Sequence, residues 1–66
     1  MFNQYDHVEL VEDLDPILRA GTRGAIVMVY TVIPPEYEVE FVDMQGQTLA
    51  IRTVKQSQLV KVESAD

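Results

Sequence analysis

The stretch Glu36-Tyr37-Glu38-Val39-Glu40-Phe41 alternates acid and apolar residue without a break. A period of two matches the pleat of a β-strand, which sends successive side chains to opposite faces. On a helix the same spacing would scatter Tyr37, Val39 and Phe41 around the cylinder. The segment therefore reads as a strand with one buried and one wet face. A strand of that kind needs neighbours, so the remaining sequence must provide a sheet.

The neighbours are legible on both sides. In Tyr5 to Leu10, Val8 and Leu10 share one face while His7 and Glu9 share the other, which gives a first strand. Glu12, Asp13, Asp15 and Pro16 then break the pattern, and Gly21 and Gly24 extend the break into a long first loop. Leu14, Ile17 and Leu18 are too apolar for a solvated excursion, so at least one is expected to fold back as a lid. Ala25 to Tyr30 carries no polar side chain except the tyrosine hydroxyl and reads as a central strand covered at least in part on both faces. After Phe41, Asp43-Met44-Gln45-Gly46 supplies a turn, and Thr48 to Thr53 resumes alternation through Leu49 and Ile51. Lys55 to Leu59 suits one tight helical turn before a short last strand at Val60 to Val62.

These elements predict an all-β fold: a small five-stranded SH3-like open barrel with a long first loop and one short helical turn before the last strand. Residues 1 to 66 form a single domain in this reading, with a fraying tail from Glu63 to Asp66. The expected core is Val8, Leu10, Leu18, Ile26, Val29, Tyr37, Val39, Phe41, Leu49, Ile51, Leu59 and Val62. A chain of this size buries roughly 60% of its unfolded surface and gains about 3 to 5 kcal/mol from one core unless a staple or partner contributes.

Charge and composition narrow the function. Eleven acidic residues against five basic ones give a net charge of -6, spread evenly along the chain with no basic tail. Nucleic-acid binding neutralises phosphates with Lys and Arg, so no nucleic-acid partner is expected, and anionic membrane surfaces are disfavoured for the same reason. No apolar run approaches the roughly 20 residues of a membrane span, and Met1 to Tyr5 lacks the form of a secretory signal. With no cysteine, disulfides and thiolate metal sites are excluded, and a cytoplasmic protein is expected.

With the strands placed, four blocks carry a family resemblance: Tyr5-Asp6-x-Val8-x-Leu10, Gly21-x-x-Gly24-x-Ile26, Tyr37-Glu38-Val39-Glu40-Phe41-Val42-Asp43, and Gly46-x-Thr48-Leu49-Ala50. The chain resembles, from about Tyr5 to Val62, the small bacterial family catalogued as domain of unknown function four-nine-two-six. The resemblance implies a stand-alone SH3-like barrel with no assigned activity. It also implies, for some members, a neighbouring small protein that resembles a toxin nuclease, and with it an antitoxin or immunity role. The chain departs from the pattern in the apolar Tyr30 to Pro35 connection, where a shorter polar turn is expected.

Side chains able to carry chemistry are sparse. Ser57, His7 and an aspartate can be combined on paper, but no elbow turn or helix start is there to activate Ser57. His7 and Glu9 share a face without a third metal ligand, and Glu12, Asp13 and Asp15 lack the glycine and distal glutamate of a calcium loop. Gly21 to Gly24 precedes a strand, so no helix dipole backs a phosphate there; a tight turn and a bulge suit it better. Proline-motif recognition needs stacked aromatics, and without tryptophan only Phe2, Tyr5 and Tyr30 remain for it. No catalytic, metal or cofactor residue is assigned, and the chain is expected not to be an enzyme.

Two surface features remain. Glu36, Glu38 and Glu40 place like charges about 6.6 Å apart along one strand face. Such a row serves either as solvated protection of the sheet or as an acidic comb that selects a basic partner. Val32-Ile33-Pro34-Pro35 is an apolar connection that is expected to pack on its own core sooner than to mark an interface, which an exposed apolar patch would signal. The expected partner is another protein, a basic nuclease-like toxin, contacted through Glu36, Glu38 and Glu40. The alternative is a structural subunit of a larger assembly, or a homodimer, held through Val32 and Ile33.

Overall fold

A computed structural model describes residues 1 to 63. Five antiparallel strands run β1 (His7–Leu10), β2 (Arg23–Tyr30), β3 (Glu36–Val42), β4 (Thr48–Lys55) and β5 (Leu59–Lys61), with one 3-10 turn at Gln56–Gln58 before β5. The sheet order is β4-β3-β2-β1-β5, so the alternating strand β3 sits between two partners and β4 and β5 form the edges. Of the tail expected from Glu63 to Asp66, only Glu63 lies within the described residues.

The core follows from the pleat. Tyr37, Val39 and Phe41 are fully buried, and they meet Val8, Leu10, Ile26, Val54 and Leu59 from the other strands. Each pair of directly opposed residues shares a face, so the pairing of Ile26 with Val39 and of Leu10 with Leu59 stacks apolar side chains on one side of the curled sheet. Leu18 closes one end: it is fully buried although it belongs to the β1–β2 loop, and Leu14 packs beside it against the same cluster. Ile17, between them, is exposed. The lid expected from this loop is thus formed by Leu18 and Leu14.

Local chemistry shapes that loop. Asp15 Oδ1 accepts from the backbone N–H groups of Ile17 and Leu18, both at 2.8 Å, and the Leu14 N–H donates to the Leu18 carbonyl at 2.8 Å. Asp13 Oδ1 accepts from the Ala20 N–H at 2.7 Å. Carboxylates thus satisfy backbone donors that no strand partner reaches. Gly21, at φ 92°, turns the chain into β2. The bulge expected at this entry lies further along β2, between Ile26 and Met28, while Arg23 pairs in register with Glu9.

Strand β4 differs from the sequence reading. Leu49 and Ile51, expected in the core, are 41% and 52% exposed, and Val54 is the buried residue of this strand. The cause is a bulge next to the turn: Val42 pairs with Thr48 and Phe41 with Ala50, so Leu49 is an extra residue on β4. A one-residue shift moves every following side chain to the other face. Ala50, Arg52 and Val54 therefore lie opposite the inward Phe41, Val39 and Tyr37, while Ile51 lies opposite Glu40 on the outer face. Arg52 sits at the open edge and extends toward the lid, with Nη2 3.7 Å from Asp15 Oδ2. Two other expected core residues are only half-buried. Val29 follows the β2 bulge and packs at the margin of the cluster. Val62 lies beyond β5, on the side of the exposed Val60, and donates its N–H to the His7 carbonyl at 2.8 Å.

Candidate functional site

The outer face of β2, β3 and β4 gathers the acidic row. Glu36, Glu38 and Glu40 all point away from the core and are half-buried among cross-strand neighbours. On one side they face Tyr30, Met28 and Ala25 of β2; on the other they face Lys55, Thr53 and Ile51 of β4. Thr53 Oγ1 donates to Glu38 Oε1 at 2.7 Å, and Thr48 Oγ1 donates to Glu40. Glu38 and Glu40 are therefore held in place by threonines, Glu36 stands opposite Lys55, and no ion pair within 4.0 Å neutralises the row among the described residues. Met28, 51% exposed, and Ile51 flank the row, so the face combines negative charge with uncovered apolar side chains. The partly covered second face expected for β2 thus consists of Ala25, Met28 and Tyr30 beside these glutamates.

At the end of this face, a hollow of about 680 Å³ opens between β1, β2 and the β3–β4 turn, with Glu40, Asp43, His7 and Val42 in its walls. Gly24 lines this hollow where β2 and β3 pass closely: a Cβ there would stand 2.5 Å from the Glu40 carbonyl oxygen. Met44, at the tip of the turn, is fully exposed at its rim. The turn itself is fixed by Asp43, whose Oδ1 accepts from the Gln45 and Gln47 N–H groups at 2.9 Å, and by Gly46 at φ 82°.

The second sequence feature lies at the other end of β3. Val32 is 52% exposed and Ile33 99%, so the apolar connection does not pack on the core. Pro34 and Pro35 line a separate hollow of about 490 Å³ with Phe2, Lys55, Ser57 and Leu59. Its walls are braced by Tyr37: the Phe2 N–H donates to the Tyr37 hydroxyl at 3.0 Å, and that hydroxyl donates to Gln56 Oε1 at 2.8 Å. Phe2 meets the Tyr37 ring edge-on at 5.3 Å between centroids. Sequence reasoning missed Lys55, Ser57 and Phe2 as neighbours of Pro34 and Pro35, because 20 positions or more separate them along the chain.

The remaining chemistry-bearing residues stay apart. His7 and Ser57 line different hollows. Asp13 is engaged by Arg19 at 3.2 Å and Glu9 by Arg23 at 3.1 Å. Asp15 has its carboxyl held below the usual 3.8 by the N–H groups of Leu18 and Ile17 and by the nearby Arg52 guanidinium. Among the described residues, no three His, Asp or Glu side chains stand close enough together to hold a metal ion.

Fold and surface together define a small antiparallel β-sheet domain whose distinctive features are outward-facing rather than enclosed. The chain belongs to the family described as Domain of unknown function (DUF4926), whose model matches residues 4–61. No curated protein and no solved structure matches it.

Proposed function

We propose that the protein is a non-enzymatic binding module that covers a basic protein partner with the outer face of β2, β3 and β4, in the manner of an antitoxin or inhibitor of a small nuclease. The observation that carries this reading is the row of Glu36, Glu38 and Glu40, the last two braced by threonines, with Met28 and Ile51 uncovered beside it. Fixed carboxylates meet a cationic surface without first being ordered, and the apolar flanks add contact area that excludes water. A row of carboxylates would occupy the space that a nuclease's phosphate-bearing substrate otherwise fills. The strand order and the 3-10 turn before β5 support an SH3-like open barrel as the scaffold, and a chain with no thiol to oxidise suits the bacterial cytoplasm we assign it.

The test is kinetic. The partner is captured from the native cell, and its association rate is measured across salt for the wild type and for the triple change of Glu36, Glu38 and Glu40 to Gln. Steering between opposite charges is screened over about 10 Å at 0.1 M ionic strength, so the wild-type rate falls steeply with salt and the triple variant associates slowly at all salt concentrations. Glutamine still accepts from Thr48 and Thr53, so the fold survives the change. A salt-independent rate unaffected by the glutamines overturns the reading.

A second reading, a structural subunit or homodimer held through Val32 and Ile33, is favoured by one observation: the complete exposure of Ile33.

A further inference from the structure

We propose that the hollow between β1, β2 and the β3–β4 turn is a socket for one arginine side chain of the protein partner. The inference rests on the reading of the outer face as the partner's contact, and it names the residue type that this face selects.

The strand register builds the socket. Directly opposed residues share a face, so His7 of β1, Ala25 of β2 and Glu40 of β3 form one row across the outer side of the sheet. Adjacent strands lie about 4.8 Å apart, which puts the backbones at His7 and Glu40 about 10 Å from one another with only the Ala25 methyl group between their side chains. Ala25 is thus the floor of a trough. Val42 and Val62 add apolar walls, and Met44 stands fully exposed at the rim. The hollow's volume of about 680 Å³ falls in the range of about 300 to 1,000 Å³ that ligand sites occupy, and it leaves room for the residues on either side of the arginine in its own chain.

Charge selects the occupant. The ionisable side chains in the walls are those of His7, Arg23, Glu40, Asp43 and Glu63. Arg23 is already matched, since its Nε stands 3.1 Å from Glu9 Oε1. Three carboxylates remain, and none of them is in an ion pair among the described residues. Glu40 accepts from the Thr48 hydroxyl through Oε2, and Asp43 accepts from the Gln45 and Gln47 N–H groups through Oδ1. Glu40 Oε1 and Asp43 Oδ2 accept from no protein donor among the described residues. One oxygen of each carboxylate fixes the group in place, so the other meets a cation without first being ordered.

An arginine suits this combination better than a lysine. Its guanidinium presents five N–H donors in a planar fork and is more weakly hydrated than an ammonium, so it engages two carboxylates at once and gives up less hydration in doing so. Its methylene stem lies along Ala25 and Val42 and covers Met44, which is fully exposed in the free chain.

The probe is N-acetyl-L-arginine methylamide, titrated at low salt into the isotope-labelled protein, with the lysine and norleucine counterparts run in parallel. The expected result is a saturable set of amide shifts centred on His7, Ala25, Val42 and Met44, with the lysine compound binding about threefold and the norleucine compound about tenfold more weakly. Two variants locate the contact. Ala25→Leu fills the floor from an outward-facing position, and Asp43→Asn removes a charge but keeps a side-chain oxygen for the turn N–H groups. Each weakens arginine binding about fivefold, with the fold of each variant checked by circular dichroism. Shifts that rise without saturating, that are as large at Glu36 and Glu38 as in the hollow, or that the lysine or norleucine compound reproduces at the same concentrations overturn the socket. A folded Asp43→Asn protein that binds the arginine compound as tightly as the wild type does so too. None of these results touches the salt dependence of partner association, so the socket and the reading of the acidic face fail separately.

Discussion

Replacing Gly24 with alanine tests whether the close approach of β2 and β3 holds the sheet in its curved form. A glycine in a strand ordinarily costs about 0.5 to 1 kcal/mol relative to alanine, so the default expectation for Gly24→Ala is a modest gain in stability. The structure reverses the sign. The added Cβ would stand 2.5 Å from the Glu40 carbonyl oxygen, 2.9 Å from Val39 Cγ1 and 3.1 Å from the Glu40 carbonyl carbon. Two of these atoms are backbone and cannot swing away. Relief requires β2 and β3 to separate where Gly24 pairs with Phe41 and Ala25 with Glu40. Overpacking of this kind costs about 1 to 3 kcal/mol, and a weakened ladder hydrogen bond adds about 1 kcal/mol, giving a loss of about 2 to 4 kcal/mol. A domain of this length has about 3 to 10 kcal/mol in total. Urea unfolding followed by far-ultraviolet circular dichroism and tyrosine fluorescence reads the effect, since the chain has no tryptophan. With a slope of about 1 kcal/mol per molar urea, the midpoint falls by about 2 M or more. A midpoint equal to or above that of the wild type refutes the close approach.

Tyr37→Phe keeps the buried ring but removes the hydroxyl shared by Phe2 and Gln56; a loss of about 1 to 2 kcal/mol is expected in the same unfolding assay, and an unchanged midpoint counts against the brace. Tyr5 stands at φ 73° and is 73% exposed, so Tyr5→Asn recovers part of the roughly 1 to 2 kcal/mol cost of a left-handed residue and raises the melting temperature by about 3 to 8 °C; a fall contradicts the strain. The Asp15 carboxyl is held below its usual range, first by the Leu18 N–H, then by Ile17, with Arg52 adding to the shift. Its contribution to stability is thus fully present above the unfolded value and lost as pH falls through the lower folded value. Asp15→Asn is less stable than the wild type at neutral pH, and the gap closes as pH falls below about 4; a constant gap across that range refutes the linkage.

What the sequence revealed, and what it hid, divides along physical lines. The β3 strand was legible because its period of two is uninterrupted, and both the Asp43 to Gly46 turn and the lid at Leu18 follow from local residue chemistry. The face of β4 was not, since the Leu49 bulge has no sequence mark: Leu49 and Ile51 alternate correctly for a core, and only the extra residue opposite Phe41 turns Ile51 outward. Arg52, a charged residue on the inward side of a strand, is tolerated because β4 is an edge and Asp15 reaches it from the lid. The acidic row was fully legible, but its bracing by Thr48 and Thr53 depended on the same hidden register. The sequence favours self-packing of Val32-Ile33-Pro34-Pro35 and the structure exposes Ile33 instead, because nothing local to the segment reveals what lies across from it.

The most direct measurement of the proposed function is a map of backbone amide shifts in the isotope-labelled protein on titration with its captured partner. The account predicts perturbations concentrated at Met28, Glu36, Glu38, Glu40, Ile51 and Thr53, on the outer face of β2, β3 and β4. Perturbations confined to Val32, Ile33, Ser57 and Leu59, with the glutamate amides unmoved, would contradict it.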